Sequence, residues 1–393
     1  MGDVNTPDAV ARAFRAERLA VLATVIRLTG DWELAEECVQ DAFEAALRRW
    51  PVDGVPRRPG AWLTTTARHR ALDRLRRANV EAAKLQELAE APDAGDDEWT
   101  DDRLRLIFTC CHPALTLDAR VALTLQTVAG LATEEIARAF LTSTATMAQR
   151  VVRAKRKIRE AGIPYRVPPA DLLPERLTGV LGVLYLLFNE GYSGRRELAG
   201  EAIRLGRLLV RLMPTETEVR GLVALMLLQH ARAAARTDRN GDLVPLDEQD
   251  RSRWDRTLID EGRGLLTGTP TPYQLQAAIA ACHATAATAA DTDWPRIAGL
   301  YEQLVGLTGS PVVQLNRAVA VAMAEGPQAG LRLVDALAAS GRLQGYHLLP
   351  ATRADLLRRL NRRAEAATAY EQAIALAPTE VERRFLRRRH DEL

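Results

Sequence analysis

The residues with the clearest chemistry lie in the segment Leu131–Arg159. Its second half carries six basic side chains at helical spacing: Arg150, Arg153, Lys155, Arg156, Lys157 and Arg159. Met147, Val151 and Ile158 recur on one side of the same stretch, which predicts an amphipathic helix. Guanidinium and ammonium groups in such a row suit the phosphates of a nucleic acid. A basic helix is more often only a solvated surface, however. The segments that precede it in the sequence therefore decide between a solvated surface and a nucleic-acid-binding helix.

A shorter helix is predicted just before the basic one. Glu134 and Glu135 stand in its first turn, where the helix dipole favours anions, and Ala137 is small enough for a close helix crossing. Between the two helices, Ser143 or Thr144 can accept hydrogen bonds from free backbone N–H groups as an N-cap. Two helices joined by a short turn, the second basic, match a helix-turn-helix, whose second helix enters the major groove. The neighbours therefore favour DNA binding.

The net charge of +2 hides an uneven distribution of charge along the chain. Glu81–Asp102 carries one basic and nine acidic side chains, whereas Arg103–Arg166 carries eleven basic and four acidic ones. An acidic tether beside a basic module indicates one segment that binds phosphates and another that avoids them. The tether, about 22 residues long, can extend to roughly 70–80 Å, or about two turns of duplex. Two DNA-binding modules could therefore occupy separate elements of one promoter.

Helical spacing of Ala, Leu, Arg and Glu dominates the chain and strand patterns are almost absent, so we predict an all-α fold. The first 80 residues should hold three helices, over Val10–Ile26, Trp32–Trp50 and Ala61–Ala78, with Asp31 capping the second. The side chains expected to face their core are Phe14, Leu19, Leu22 and Ile26 on the first helix and Leu34, Val39, Phe43 and Leu47 on the second. An acidic ridge on the second helix and a basic end on the third would share one small bundle.

The C-terminal part of the chain, after two Pro-containing breaks, is helical and nearly neutral. Ala202–Pro214 and Ala366–Pro378 span the same interval, and Ala366, Tyr370 and Ala373 match the back half of a tetratricopeptide pattern. A right-handed stack of helix hairpins is therefore predicted. The expected organisation is a helical bundle at 1–80, an acidic linker at 81–102, a helix-turn-helix domain at 103–166 and a tetratricopeptide-like domain at 167–393.

Several kinds of site are not expected. The four cysteines, Cys38, Cys110, Cys111 and Cys282, are too sparse for a disulfide framework, and no second ligand pair accompanies Cys110–His112 at zinc-finger spacing. The chain has no Gly-rich phosphate loop and no nucleophile elbow. We therefore predict no catalytic residue, metal, cofactor or small-molecule substrate. The longest apolar run is shorter than the roughly 20 residues of a membrane span, so a cytoplasmic protein without membrane contact is expected.

Three motifs, taken in order, resemble those of a known family. AEECVQDAFEAALRRW resembles the segment by which sigma factors hold RNA polymerase, and PGAWLTTTARHRALDRLRR resembles their reader of the minus-ten promoter element. TEEIARAFLTSTATMAQRVVRAKRKI resembles the reader of the minus-thirty-five element. Val10–Arg166 thus resembles a bacterial sigma-70 family factor of the extracytoplasmic-function type. YLLFNEGYSGR and DEQDRSRWD resemble the subgroup with a fused tetratricopeptide-like extension.

The resemblance implies a role for each motif. Core RNA polymerase would be bound by Glu36, Glu37, Gln40, Asp41 and Phe43. The minus-ten element would be bound by Arg57, Arg58, Trp62, Arg68, Arg70, Arg74 and Arg77. The minus-thirty-five element would be bound by Thr144, Thr146, Ala148, Gln149, Arg150, Arg153 and Lys157, of which Ala148, Gln149 and Arg153 would read bases. A solvated face for the acidic ridge and a core position for Trp62 stay open as alternatives.

The extension implies regulation in cis, through a concave surface that could take a peptide, another protein or the sigma domains of the same chain. Its polar and aromatic candidates, which could equally be buried structure, are Asn189, Glu190, Tyr192, Asp250, Arg253, Trp254 and Asp255. The main alternative function is a helix-turn-helix regulator with a helical-repeat sensor that does not enter polymerase. The acidic ridge argues against this alternative, because a plain regulator has no use for it.

Overall fold

A computed structural model describes residues 6–77, 102–140, 142–192, 196–239 and 244–393. Every regular element in these ranges is helical, which confirms the predicted all-α class. The internal contacts divide the chain into two compact units, Met1–Glu190 and Gly191–Leu393. Among the described residues, none of the helices combines the length and the hydropathy needed to cross a bilayer.

The first unit begins with three mutually packed helices, α1 (Thr6–Thr29), α2 (Trp32–Asp53) and α3 (Pro59–Arg77). Asp31 caps α2 as predicted, since its Oδ1 accepts the backbone N–H groups of Glu33 and Leu34 at 2.9 and 3.1 Å. Gly54 ends α2 with a φ of 82°, a conformation that favours glycine. Local signals therefore set both ends of α2.

Most of the side chains predicted to face the core of this bundle are buried or half-buried, and two are exposed. Leu22, Ile26, Val39 and Phe43 are buried, and Leu19 and Leu34 are half-buried. The predicted core positions of Phe14 and Leu47 are wrong, because these side chains are 41% and 50% exposed. Both line a groove between α1 and α2 that α3 does not cover.

The remainder of the first unit contains a helix-turn-helix. Its elements are α4 (Asp102–Cys110), α5 (Leu117–Leu123), a π-helical turn (Thr124–Ala129), α6 (Thr133–Ala139), α7 (Thr144–Glu160) and α8 (Leu173–Tyr192). Ser143 Oγ accepts the Thr146 N–H at 3.1 Å, so Ser143 is the cap of α7. Met147, Val151 and Ile158 are buried, as the apolar spacing predicted. The basic helix therefore packs on one side and leaves the other side to solvent.

Helix α8 packs against the helix-turn-helix part of the first unit. Arg176 Nη2 donates to the carbonyl oxygen of Phe108 at 3.0 Å, and Leu177 and Val180 on the same helix are buried. The compact division consequently falls after Glu190, later than the boundary after residue 166 that the sequence suggested. The reason is that the Pro-rich break near residue 167 does not end the packing of this unit.

The second unit consists of successive helices. They are α9 (Arg196–Leu212), α10 (Thr217–His230), α11 (Arg256–Gly264), α12 (Pro272–Thr285), α13 (Trp294–Thr308), α14 (Pro311–Glu325), α15 (Pro327–Ala339), α16 (Leu348–Arg359), α17 (Arg363–Leu376) and α18 (Glu380–Asp391). From α12 onwards each helix packs against the next. Ala366, Tyr370 and Ala373 are all buried on α17, where the repeat pattern placed them. The tetratricopeptide-like assignment itself stays a prediction.

The motif DEQDRSRWD forms a structural cluster within the second unit. The Arg251 guanidinium lies 4.5 Å from the centre of the Trp254 ring and donates to the carbonyl oxygens of His283 and Ala286. Trp254 is buried, and Asp255 Oδ1 accepts the Leu258 N–H as the cap of α11. Of the candidate surface residues in this motif, Trp254 is buried, whereas Asp250, Arg253 and Asp255 are exposed, so a binding surface at these three positions stays a prediction.

His283 is expected to make the second unit less stable in mild acid. Burial, with Arg232 and Arg251 nearby, lowers the pKa of His283 from 6.5 to about 4. Between these values the unfolded chain binds the proton and the folded chain does not, so stability falls as the pH falls. Between pH 6.5 and pH 5 the loss should be about 2 kcal/mol.

Urea denaturation of the wild type and His283→Gln at pH 6.5 and pH 5 tests this expectation. The variant should lose about 2 kcal/mol less than the wild type over the same interval. His69→Gln is the matched control, since His69 is exposed on α3. An equal loss in His283→Gln and wild type would show that His283 does not cause the acid sensitivity.

Candidate polymerase and promoter interfaces

The groove between α1 and α2 presents apolar side chains within a polar rim. Its volume is about 670 Å³, and it is lined by Val10, Ala11, Phe14, Arg18, Leu22, Glu36, Val39, Gln40, Phe43, Glu44, Leu47, Gln126 and Leu131. The rings of Phe14 and Phe43 meet edge to face, with centroids 5.1 Å apart. Exposed aromatic and aliphatic groups ringed by polar ones are typical of a protein-binding surface. The groove is therefore the strongest candidate for a protein interface on the bundle.

The acidic ridge of α2 is engaged with two basic side chains. Glu37 and Asp41 both pair with Arg74 of α3, at 2.9 Å between Arg74 Nη2 and Asp41 Oδ2. Glu36 pairs with Lys155 of α7. Gln40 is exposed and donates to Glu44 at 3.2 Å. Of the predicted polymerase contacts, Phe43 is buried beneath Phe14, so Phe14 is the aromatic ring that a partner reaches first.

The predicted minus-ten residues lie along the loop before α3 and along α3 itself. Arg57, Arg58, Arg70 and Arg77 are exposed, and Arg68 and Trp62 are half-buried. The Trp62 ring meets the buried Trp50 edge to face, with centroids 5.7 Å apart. Trp62 is thus neither a fully buried core residue nor an exposed one. Arg74 bridges α2 and α3 through its ion pairs with Glu37 and Asp41.

The predicted minus-thirty-five residues share the outward side of α7. Thr144, Thr146, Gln149, Arg153 and Lys157 are exposed, and Ala148 and Arg150 are half-exposed. Arg150 reaches Asp118 only at 3.8 Å, and Arg153 Nε donates to the Gln149 carbonyl oxygen at 3.3 Å. Four positions separate Gln149 from Arg153, so the two side chains are neighbours on one face. Both side chains are therefore presented on the same exposed face of α7.

Comparison with known proteins identifies the helical bundle and the helix-turn-helix as two regions of one family. Residues 13–80 match the family "Sigma-70 region 2", and residues 105–158 match "Sigma-70, region 4". The chain is 44% identical to an uncharacterized protein of Rhizobium meliloti (strain 1021), over 97% of this chain and 95% of that protein. It is 31% identical to the probable ECF RNA polymerase sigma factor SigI of two Mycobacterium tuberculosis strains. The chain belongs to the sigma-70 family, extracytoplasmic-function type.

As a sigma-70 factor the chain is a transcription initiation factor that binds core RNA polymerase and promoter DNA, and it is not an enzyme. The match to SigI spans 42% of this chain and 59% of that protein. Residues 176–269 match a "Family of unknown function (DUF6596)", which begins within α8. No solved structure matches the chain.

The matched ranges overlap the predicted first and third domains, and the exact domain boundaries stay predictions. Of the predicted linker, residues 81–101 lie outside the described residues, while Asp102 begins α4. The alternative of a regulator that does not enter polymerase loses its support, because region 2 is present beside region 4.

Proposed function

We propose that this sigma factor holds core polymerase through the groove between α1 and α2 and reads the minus-thirty-five element with the outward side of α7. The observation that carries the proposal is the presence of two surfaces in one unit: an apolar groove lined mainly by region 2 and an exposed basic face on α7 of region 4. Region 2 would also bind the minus-ten element through its exposed arginines. Each surface is chemically complementary to its partner. The apolar groove beside the acidic ridge suits a protein, and the cationic face of α7 suits the phosphates of DNA.

A second part of the proposal concerns the extension. We infer that the helical unit beginning at Gly191 regulates initiation in cis. Support comes from the continuity of the chain, because α8 packs against region 4 and belongs in part to the family match that continues to residue 269. The extension is therefore covalently joined to the end of the helix that packs on region 4.

Run-off transcription with core polymerase tests this regulation. We compare the full chain with a truncation after Glu190, which keeps the α8 contacts that a truncation after Arg166 would remove. We expect the truncated chain to give a lower transcript yield, because the end of α8 loses its continuation. A higher yield would mean that the extension inhibits, and an equal yield would contradict regulation in cis.

A further inference from the structure

Three basic side chains lie where α8 packs on region 4. His112 follows the C-terminal end of α4, Arg120 belongs to α5, and Arg176 belongs to the first turn of α8. All three side chains are half-buried. None of them belongs to the surfaces proposed above for polymerase or promoter DNA, so this basic cluster is a feature that those surfaces leave unused.

Backbone carbonyl groups hold both guanidinium groups of the basic cluster in place. Arg120 donates from Nε to the Leu115 carbonyl oxygen at 2.9 Å and from Nη2 to that of Pro113 at 3.1 Å. Arg176 donates from Nη2 to the Phe108 carbonyl oxygen at 3.0 Å. These contacts satisfy carbonyl groups at the end of α4 and in the loop that follows it. They use only some of the five N–H groups of each guanidinium, so donors remain for a ligand.

The backbone of α8 brings the members of the basic cluster to one patch of the surface. A Cβ atom added to Gly179 of α8 would lie 4.0 Å from Arg120 Nη1 and 3.9 Å from the carbonyl oxygen of Cys111. Arg176 precedes Gly179 by three positions, so both lie on the same face of α8. Arg120 and Arg176 therefore lie beside each other, and His112 follows directly after Cys111.

The positive charge of the basic cluster is not balanced by ion pairs. Among the described residues, no carboxylate lies within ion-pair distance of its three side chains. Burial lowers the pKa of His112, and the charges of Arg176 and Arg120 lower it further. In the same part of the chain, Arg176 Nε is buried without a hydrogen-bond partner. A bound anion would supply the missing negative charge, so the cluster is suited to hold one.

The donors of the basic cluster match a phosphate better than a carboxylate. His112 Nδ1 accepts the Ala114 N–H at 3.1 Å, so the neutral ring carries its proton on Nε2 and can donate it to an anion. Two guanidinium groups, each with paired N–H groups, suit the oxygen atoms of a phosphate. A carboxylate has two oxygen atoms and a single charge, so it would leave one guanidinium without a partner.

We propose that His112, Arg120 and Arg176 form a phosphate-binding site shared by region 4 and α8. The phosphate belongs either to the backbone of the promoter or to a free phosphate compound, since both present the same oxygen atoms. Because Arg176 lies on α8 and Arg120 on α5, a bound phosphate holds α8 against region 4. This inference deepens the proposed regulation in cis and rests on it only for the effect on transcription.

Two titrations of the full chain test the site and identify the source of the phosphate. Fluorescence anisotropy measures the binding of a labelled promoter duplex to the holoenzyme over a range of salt concentrations. Isothermal titration calorimetry measures the binding of inorganic phosphate to the free factor. Both are repeated with Arg120→Gln and Arg176→Gln. Arg159→Gln is the matched control, because it removes one exposed arginine from region 4 outside the site.

Both site variants should behave alike, because each removes one of two charges that act on the same anion. If the promoter supplies the phosphate, each variant should weaken duplex binding about fivefold at about 0.15 M salt and reduce the salt slope by about one. If a free compound supplies it, the wild type and Arg159→Gln should bind inorganic phosphate at a single site. Arg120→Gln and Arg176→Gln should then bind it more weakly by a factor of about 10 to 100.

The site is overturned if neither titration distinguishes the two site variants from Arg159→Gln. It is also overturned if they lose affinity only for core polymerase, since the anion would then be a protein carboxylate. Thermal denaturation shows whether each variant is folded. Where a Gln variant does not fold, Arg120→Lys or Arg176→Lys replaces it, and the same titration should be weakened by a smaller factor. Both titrations measure binding alone, so a failure of regulation in cis in run-off transcription is a separate result.

Discussion

Phe14→Ala is expected to weaken the binding of core polymerase by a factor of about 30 to 1,000. The ring is 41% exposed at the mouth of the α1–α2 groove and covers Phe43. Central aromatic side chains of protein interfaces commonly contribute about 2–4 kcal/mol to binding, which corresponds to that range of affinity. Because the Phe14 ring is not part of the buried core of the bundle, its removal should weaken polymerase binding more than it destabilises the fold.

A pull-down titration of core polymerase with the full-length chain gives the apparent affinity. Val52→Ala is the matched control: Val52 lies on α2, is 85% exposed and does not line the groove. Thermal denaturation should show similar midpoints for both variants. An affinity of Phe14→Ala equal to that of the control would show that polymerase does not use this groove.

Phe14 also illustrates what the sequence could and could not predict. Helical periodicity identifies the apolar side of α1 and α2 but does not say which part of that side another helix covers. Phe14 and Leu47 therefore looked like core residues, although the structure leaves them at the groove. Caps behave differently, because Asp31 and Ser143 act on backbone groups two or three positions away. Helix caps could therefore be predicted from the sequence, because they depend only on residues close by in the chain.

Contacts between distant segments could not be predicted from the pattern. Lys155 and Glu36 are 119 positions apart, and each belongs to a charged stretch that reads equally well as a solvated face. Arg74 looked like one of several phosphate contacts on a basic helix, yet it pairs with Glu37 and Asp41. Charge patterns thus predicted candidate binding surfaces, and only the fold determines which charges are already paired.

Arg153→Ala is expected to relax promoter choice at a single base pair. Arg153 is exposed on the outward side of α7, one turn after Gln149. An arginine that pairs with guanine O6 and N7 contributes about 1–3 kcal/mol of discrimination, so preference at that position should fall roughly 5- to 150-fold. Run-off transcription by the holoenzyme on promoters with a randomised minus-thirty-five element reads every position at once.

Two further variants of α7 show whether Arg153 contacts a base or only contributes positive charge. Arg156→Ala removes an exposed arginine that is not among the predicted DNA contacts and lies 3.6 Å from Glu160, and it should leave the preference unchanged. Lys157→Ala should weaken binding to all sequences alike and reduce the salt slope by about one, as expected for a lost phosphate contact. If Arg153→Ala keeps the wild-type preference at every position, Arg153 does not read a base. If it behaves like Lys157→Ala, its partner is a phosphate.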